Sequence, residues 1–121
     1  ENRLIQVLGN YVSNAAKHTE SGSIRVGYYP PADGMIRFYV KDTGAGIPLD
    51  KQSLVFERFV KLDSFKQGTG LGLSICRMIA ECMKGHVGLE SEVGKGSEFW
   101  FEVPFQLKRL KRDGFTLKLR W

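Results

Sequence analysis

The chain has 121 residues, 42% of them hydrophobic, with 18 Lys and Arg against 13 Asp and Glu for a formal charge of +5. This length suits one small domain with the composition of an ordinary soluble globular protein. Six basic residues and one acid lie in 108–121, so residues 1–107 are neutral and the sequence does not indicate a nucleic-acid-binding surface.

An amphipathic helix and a hairpin are predicted in the first third of the chain. Apolar residues recur every three or four positions, which predicts a helix from about Asn2 to His18. Apolar and polar residues then alternate over 24–28 and 36–40, and the sequence PPADG at 30–34 has turn chemistry. The pattern therefore predicts a β-hairpin whose second strand ends at Asp42.

The remaining elements alternate between helix and strand. A short helical stretch is predicted over 49–55, and a longer amphipathic helix begins at Leu71 and ends at Gly85, which we expect to be a left-handed cap. Two strands follow, over 87–92 and 97–105. This order predicts an α/β fold: a two-layer α/β sandwich with a mixed β-sheet and helices on one face.

The chain divides into a body and a tail. We assign residues 1–106 to one domain and residues 107–121 to a basic C-terminal tail, which is a linker, the start of a next module or expression-derived sequence. The tail carries the net charge of the chain. Because Glu1 lies almost inside a helical pattern, we expect the chain to be a fragment of a longer protein.

Cysteine usage indicates a reducing compartment. Cys76 and Cys82 are six residues apart in a predicted helix, a spacing that differs from a C-x-x-C motif and turns the two side chains in different directions. We expect reduced thiols, with Cys76 in the core, in a cytoplasmic protein. No apolar run approaches the roughly 20 residues of a membrane span, so we expect no direct membrane contact of this fragment.

Three tracts carry residues suited to a purine nucleotide. Residues 10–19 read NYVSNAAKHT, residues 42–48 read DTGAGIP, and residues 68–73 read GTGLGL at the start of a predicted helix. A carboxylate can accept a hydrogen bond from the amino group of adenine, and glycines let the backbone approach a ligand closely. The start of a helix offers unpaired N–H groups to phosphate.

In this order the tracts resemble the asparagine box and the glycine boxes of the catalytic ATP-binding domain of sensor histidine kinases. That domain shares its superfamily, with a Bergerat-type ATP-binding fold, with DNA gyrase, the heat-shock 90 chaperones and the mismatch-repair protein MutL. Residues 55–59 (VFERF) are similar to the phenylalanine box, and residues 94–97 (GKGS) to the last glycine box. The resemblance covers about Glu1 to Phe105, and it implies ATP and Mg²⁺ as cofactors.

The resemblance also implies roles for individual residues. Asn14 would hold Mg²⁺, a hard ion that prefers oxygen ligands, and Asp42 would accept the adenine amino group; neither occupies a predicted core position. Lys17 would meet phosphate as a point charge, His18 would contact ribose or phosphate, and Lys61 lies in a lid over 60–69. The candidate nucleotide contacts are Asn10, Asn14, Lys17, His18, Asp42, Gly44, Gly46, Ile47, Lys61, Gly68, Thr69, Gly70, Leu71, Gly72, Leu73 and Ser97.

Simpler readings of these residues stay open. His18 is nearly as well suited to interact with the dipole at the end of its helix, so Lys17 ranks above it as a phosphate contact. Lys61 is equally well read as a solvated lysine. No residue is assigned to catalysis with certainty, and Lys17 and Lys61 are the phosphate-contacting candidates.

The implied function is donation of the γ-phosphoryl group of Mg·ATP to a histidine, as in a protein-histidine kinase of two-component signalling. The acceptor lies on a dimerisation and phosphoacceptor domain absent from this chain, so the isolated fragment should not phosphorylate itself; a downstream response regulator receiver domain is the further partner. Asn10 stands where related ATP hydrolases carry a glutamate, and an amide cannot take a proton from water. The alternatives are a nucleotide-binding or docking module without kinase activity, and an ATP hydrolase or serine kinase of the same superfamily. Whether the parent protein is anchored in the inner membrane stays open.

Overall fold

The computed structural model describes residues 2–57, 72–109 and 115–119. Three helices and five strands lie in these ranges. In chain order they are α1 (Asn2–His18), β1 (Ile24–Ala32), β2 (Met35–Asp42), α2 (Leu49–Gln52), α3 (Gly72–Cys82), β3 (His86–Glu92), β4 (Gly96–Arg109) and β5 (Phe115–Leu119). The described helices contain no segment long and apolar enough to cross a membrane.

The sheet has the strand order β1-β2-β4-β3, and β5 pairs with the far end of β4. All four pairings between the described strands are antiparallel. Because β2 and β3 both run antiparallel to β4, they point in the same direction with β4 between them. The described strands therefore pair only in the antiparallel sense, where the sequence predicted a mixed sheet. The predicted α/β fold is confirmed.

The core lies between the sheet and the helices on one of its faces. In β4, Phe99, Phe101 and Val103 are buried at every second position, as expected for a strand with one covered face. Helix α1 covers this face with Val7, Tyr11 and Ala15, which recur at helical spacing. Further core residues come from the other elements: Ile36, Val40, Ile47, Val55, Cys76, Ile79 and Met83.

Among the described residues, the opposite face of the sheet carries polar and aromatic side chains and is not covered by a helix. The guanidinium of Arg37 lies 3.7 Å from the ring centroid of Trp100, and its Nη2 is 3.0 Å from Oε2 of Glu102. Cation–π and ion-pair contacts let this face stay in water. The buried face is therefore the one that can hold a site between sheet and helices.

The turn between β1 and β2 uses two left-handed residues. Asp33 has φ 55° and Gly34 has φ 75°, the backbone of a two-residue turn whose twist matches the flanking strands. The prolines at 30–31 stay inside β1, where the pairing register shifts between Tyr29 and Ala32. The hairpin and its delivery of Asp42 are thus confirmed, with a shorter turn than the sequence predicts.

The end of α3 differs from the prediction in one residue. Lys84, with φ 64°, takes the left-handed position, and the N–H groups of Lys84 and Gly85 donate to the carbonyl oxygens of Glu81 at 3.0 Å and Ala80 at 2.7 Å. This is a Schellman cap with a lysine at its left-handed position. Gly85 is required for space instead, because a Cβ there would overlap the carbonyl oxygen of Glu102. The prediction of Gly85 as the left-handed residue was wrong.

Three further expectations from the sequence can be compared with the described structure. Cys76 is buried and Cys82 exposed, and both are free thiols, as predicted. The basic segment after residue 106 contains β5, which pairs with residues 105–109 of β4, a strand that the sequence did not indicate. Helix α2 is also shorter than the predicted stretch and ends at Gln52.

Candidate functional site

A cavity of about 530 Å³ opens between α1 and the ends of the sheet strands. Its volume lies in the range of small-molecule sites. The wall combines the last turns of α1, the tract that follows β2, and residues of β4. The lining residues are Asn14, His18, Glu20, Ser21, Asp42, Thr43, Gly44, Ala45, Gly46, Ile47, Pro48, Lys51, Ser97 and Phe99.

Asp42 is the buried carboxylate of this cavity. It is 4% exposed at the end of β2, and its Oδ1 accepts a hydrogen bond from the backbone N–H of Gly44 at 2.8 Å. Ser97 lies directly opposite Asp42 in the β2–β4 register. The sequence suggested a position outside the core, whereas antiparallel pairing with β4 buries the residue at the cavity wall.

The glycine turn forms one wall of the cavity, and it has no room for side chains on the side that faces His18 and Glu92. A Cβ at Gly44 would overlap the carbonyl oxygen of His18, and a Cβ at Gly46, which has φ 79°, would overlap that of Glu92. The N–H of Gly94 also donates to the carbonyl oxygen of Ala45 at 2.8 Å. The turn therefore packs between the end of α1 and the β3–β4 connection. Gly44 and Gly46, which have no side chains, line the cavity with their backbone.

Hydroxyl and amide side chains hold the end of the turn at Ile47. The backbone N–H of Ile47 donates to Ser91 Oγ at 2.8 Å, and Gln52 Nε2 donates to the Ile47 carbonyl oxygen at 2.8 Å. Ser91 Oγ lies 2.8 Å from Ser97 Oγ. Neither Ser91 nor Gln52 was identified from the sequence, because they lie outside the three tracts and outside the boxes at 55–59 and 94–97.

Two of the four candidates on α1 line the cavity. Asn14 and His18, four residues apart, both border it, whereas Lys17 is exposed and is not among the lining residues. Neighbouring residues of a helix point about 100° apart, and of this pair the side chain that borders the cavity is His18. Asn10 lies one turn before Asn14, and its Nδ2 donates to the carbonyl oxygen of Gly72 at 3.3 Å.

The start of α3, at Gly72, lies next to the side-chain amide of Asn10. Gly72 is exposed, and a Cβ there would meet no atom within 4 Å. Leu73 is half-buried and packs against the core, so it serves the fold. The remaining predicted contacts (Lys61, Gly68, Thr69, Gly70 and Leu71) and the lid over 60–69 lie outside the described residues.

Several lining residues were not predicted. Thr43, Ala45 and Pro48 belong to the DTGAGIP tract, but the sequence prediction named only Asp42, Gly44, Gly46 and Ile47 from it. Phe99 lies in the strand predicted over 97–105, and it is both buried in the core and part of the cavity wall. The other three, Glu20, Ser21 and Lys51, carry no recognisable sequence signal.

Comparisons with known proteins identify the family. The family model "Histidine kinase-, DNA gyrase B-, and HSP90-like ATPase" matches residues 1–107. The sensor histidine kinase AruS of Pseudomonas aeruginosa is 41% identical over 118 residues, which is 91% of this chain and 12% of that protein. The adaptive-response sensory kinase SasA of Synechococcus elongatus is 39% identical over 84% of this chain and 27% of its own length. The chain thus spans about an eighth to a quarter of these relatives.

Solved structures agree. Full-length ShkA in complex with AMPPNP has a TM-score of 0.78 and 43% identity, covering 84% of this chain and 21% of that one. The nucleotide-free catalytic domain of histidine kinase ThkA has a TM-score of 0.73 and 37% identity, covering 85% of this chain and 66% of that one. The chain therefore belongs to the family of histidine kinase-, DNA gyrase B- and HSP90-like ATPases.

Proposed function

We propose that residues 1–106 bind Mg·ATP and donate its γ-phosphoryl group to a histidine on a separate dimerisation and phosphoacceptor domain. The observation that carries this proposal is that Asp42, from the sheet, and Asn14, from α1, border the same cavity. One presents a carboxylate and the other an amide, so the two ends of the cavity suit different parts of one nucleotide. The family and the AMPPNP complex of ShkA support ATP as the ligand.

The Asp42 end fits an adenine ring. A buried carboxylate is a strong acceptor for an exocyclic amino group, and the hydrogen bond from Gly44 occupies Oδ1. Gly44 and Gly46 line the cavity without side chains, so a ring can approach the backbone of the turn. Ile47 and Phe99 supply apolar lining, which suits the ring faces.

The α1 end fits phosphates and a metal ion. The Asn14 side chain offers an amide oxygen, the ligand type that Mg²⁺ prefers while it keeps waters and phosphate oxygens as its other ligands. When bound, the ion would neutralise phosphate charge. His18 lines the same wall, and we assign it the ribose or phosphate contact in preference to the exposed Lys17.

Transfer to a partner fits this site better than hydrolysis. Asn10 is an amide, its Nδ2 donates to the Gly72 carbonyl oxygen, and an amide cannot act as a base toward water. Positioning and charge neutralisation are the main requirements of phosphoryl transfer. We therefore propose a protein-histidine kinase of two-component signalling, acting in the cytoplasm, with a response regulator receiver domain downstream.

A melting-temperature measurement tests the binding step. Mg·ATP or AMPPNP should raise the melting temperature of the chain, because a ligand that binds only the native state stabilises it, whereas GTP should not. Mg²⁺ alone serves as the control. An unchanged melting temperature at millimolar Mg·ATP contradicts nucleotide binding.

A second measurement tests the transfer step. Radiolabel from γ-labelled ATP should appear, in acid-labile form, on a sensor-kinase dimerisation domain added in trans. Release of phosphate at the same rate without any acceptor domain would favour the hydrolase alternative.

A further inference from the structure

Ser91 on β3 joins two walls of the nucleotide cavity. Its Oγ accepts a hydrogen bond from the N–H of Ile47 at 2.8 Å, donates one to the carbonyl oxygen of Gly96 at 3.0 Å, and lies 2.8 Å from Ser97 Oγ. Gln52 Nε2 holds the same corner by donating to the Ser91 carbonyl oxygen at 3.1 Å. One hydroxyl thus contacts both the glycine turn and the neighbouring strand.

Three polar side chains form a row across the sheet. Ser91 is the register partner of Ser97, and Ser97 is the register partner of Asp42. Register partners share a face of the sheet, so the two hydroxyls and the carboxylate are neighbours on the side that faces the helices. Ser97 and Asp42 line the cavity, whereas Ser91 is not among the lining residues.

The number of available protons determines which hydroxyl donates in the hydrogen bond between Ser91 and Ser97. A serine hydroxyl has one proton, the Ile47 N–H can only donate, and the Gly96 carbonyl can only accept. If Ser91 donated to Ser97, its oxygen would face the Gly96 oxygen at 3.0 Å with no proton between them. The arrangement that satisfies all three contacts has Ser91 donating to Gly96 and Ser97 donating to Ser91. Ser97 then keeps only lone pairs for other partners.

We propose that Ser91 is a positioning residue that makes the base-reading end of the cavity acceptor-only and so favours 6-amino purines over 6-oxo purines. This inference rests on the proposed nucleotide-binding function. An amino group at C6 can donate to the oxygens of Asp42 and Ser97. A carbonyl at C6 would face the same two acceptors without a proton, which weakens binding. Without Ser91, the Ser97 proton can turn toward that carbonyl and the discrimination falls.

The test compares the affinities of the full chain for Mg·ATP and Mg·ITP by calorimetric titration. The two bases differ at C6 and in the proton on N1. The unaltered chain should prefer ATP, and Ser91→Ala should narrow the ATP-to-ITP affinity ratio about three- to tenfold, the change that one hydrogen bond gives. Ser91→Thr, which keeps the hydroxyl, should restore the ratio. Ser13→Ala, at an exposed serine of α1, should leave it unchanged.

A double variant separates positioning from a loss of structure. Ser91→Ala also removes the acceptor of the Ile47 N–H, and a loosened wall would lower both affinities together. An effect on the ATP-to-ITP affinity ratio instead requires the Ser97 hydroxyl. Ser91→Ala should therefore no longer alter this ratio in a chain that already carries Ser97→Ala. If Ser91→Ala does not fold, Ser91→Cys, whose thiol is a weak hydrogen-bonding group, is measured in the same way.

The results of these titrations distinguish the role of Ser91 from the proposed nucleotide-binding function. The role of Ser91 alone is overturned if the unaltered chain binds Mg·ATP and Ser91→Ala leaves the ATP-to-ITP affinity ratio unchanged. It is also overturned if Ser91→Ala changes this ratio equally in the Ser97→Ala background. An unaltered chain that does not bind Mg·ATP overturns the proposed function instead.

Discussion

Asp42 and Ser97 face each other across the β2–β4 pair, and both line the same cavity. Their strands are separated in sequence by the whole of α2 and α3, yet antiparallel pairing brings the carboxylate and the hydroxyl to one level of the sheet. A residue of the first glycine tract and a residue of the last glycine box therefore share one wall.

Asp42→Asn should abolish tight nucleotide binding without unfolding the domain. The asparagine Oδ1 can still accept from the Gly44 N–H, but its amino group would face the amino group of adenine. We expect Mg·ATP affinity to fall about 10- to 100-fold, since a hydrogen bond to a charged group contributes about 1.5–3 kcal/mol. Calorimetric titration measures the affinity, and urea unfolding measures the stability.

Asp42→Ala is the informative contrast. It leaves the Gly44 N–H without its acceptor, so the free energy of unfolding should fall by about 1–3 kcal/mol. Normal ATP affinity in Asp42→Asn would mean that the carboxylate does not contact the nucleotide.

Gly44→Ala and Gly72→Ala should separate packing from ligand contact. A Cβ at Gly44 overlaps the His18 carbonyl oxygen, whereas a Cβ at Gly72 meets no atom within 4 Å. Gly44→Ala should therefore lose about 1–3 kcal/mol of stability, as overpacked sites do. Gly72→Ala should keep its melting temperature and bind Mg·ATP more weakly, because a methyl group would hinder phosphate at the start of α3. Unchanged affinity in Gly72→Ala would remove the start of α3 from the phosphate site.

Lys84→Gly should stabilise the domain. Lys84 has φ 64° in the cap of α3, and glycine takes this conformation without steric cost, for a net gain of about 0.5–1 kcal/mol. Lys84→Ala keeps the left-handed strain and serves as the control with no expected gain. Gly85→Ala should be destabilising, because its Cβ overlaps the Glu102 carbonyl oxygen. Thermal unfolding that ranks Lys84→Gly below the unaltered chain would contradict the cap.

Alkaline pH should weaken the fold through Cys76. Burial raises the pKa of this thiol from its ordinary 9.0 to about 11. Between those values the unfolded chain loses the thiol proton while the folded chain keeps it, so the free energy of unfolding falls as pH rises through 9. The expected slope is at most about 1.4 kcal/mol per pH unit. Cys76→Ala should flatten this dependence between pH 9 and 10.

Cys82→Ala is the matched control for that titration. Cys82 is exposed, so removing it should leave the slope as it is in the unaltered chain. A thiol reagent at pH 8 should modify Cys82 quickly and Cys76 only after unfolding. Equal rates for both thiols in the folded chain would show that Cys76 is not protected by burial.

Local patterns were sufficient for much of the fold. The spacing of apolar residues predicted both ends of α1, and alternation with turn residues predicted the hairpin that ends at Asp42. The first two tracts and the last glycine box also identified Asn14, Gly44 and Ser97, which the structure brings to one cavity. These features depend on neighbouring positions in the chain, and periodicity and turn chemistry report on such positions directly.

The sequence by itself determined α1, the β1–β2 hairpin, α3, β3 and β4, together with the motif set and the family resemblance, because each depends on residue types at short spacing. Only the tertiary structure decided that His18 rather than Lys17 borders the cavity, that Lys84 rather than Gly85 takes the left-handed position, and that Ser91 supports Ser97. Those outcomes depend on which strand or helix approaches from elsewhere: the carbonyl of Glu102 beside Gly85, or the N–H of Ile47 beside a hydroxyl 44 positions later. Close approach between distant elements is set by packing of the whole core, and no local pattern encodes it.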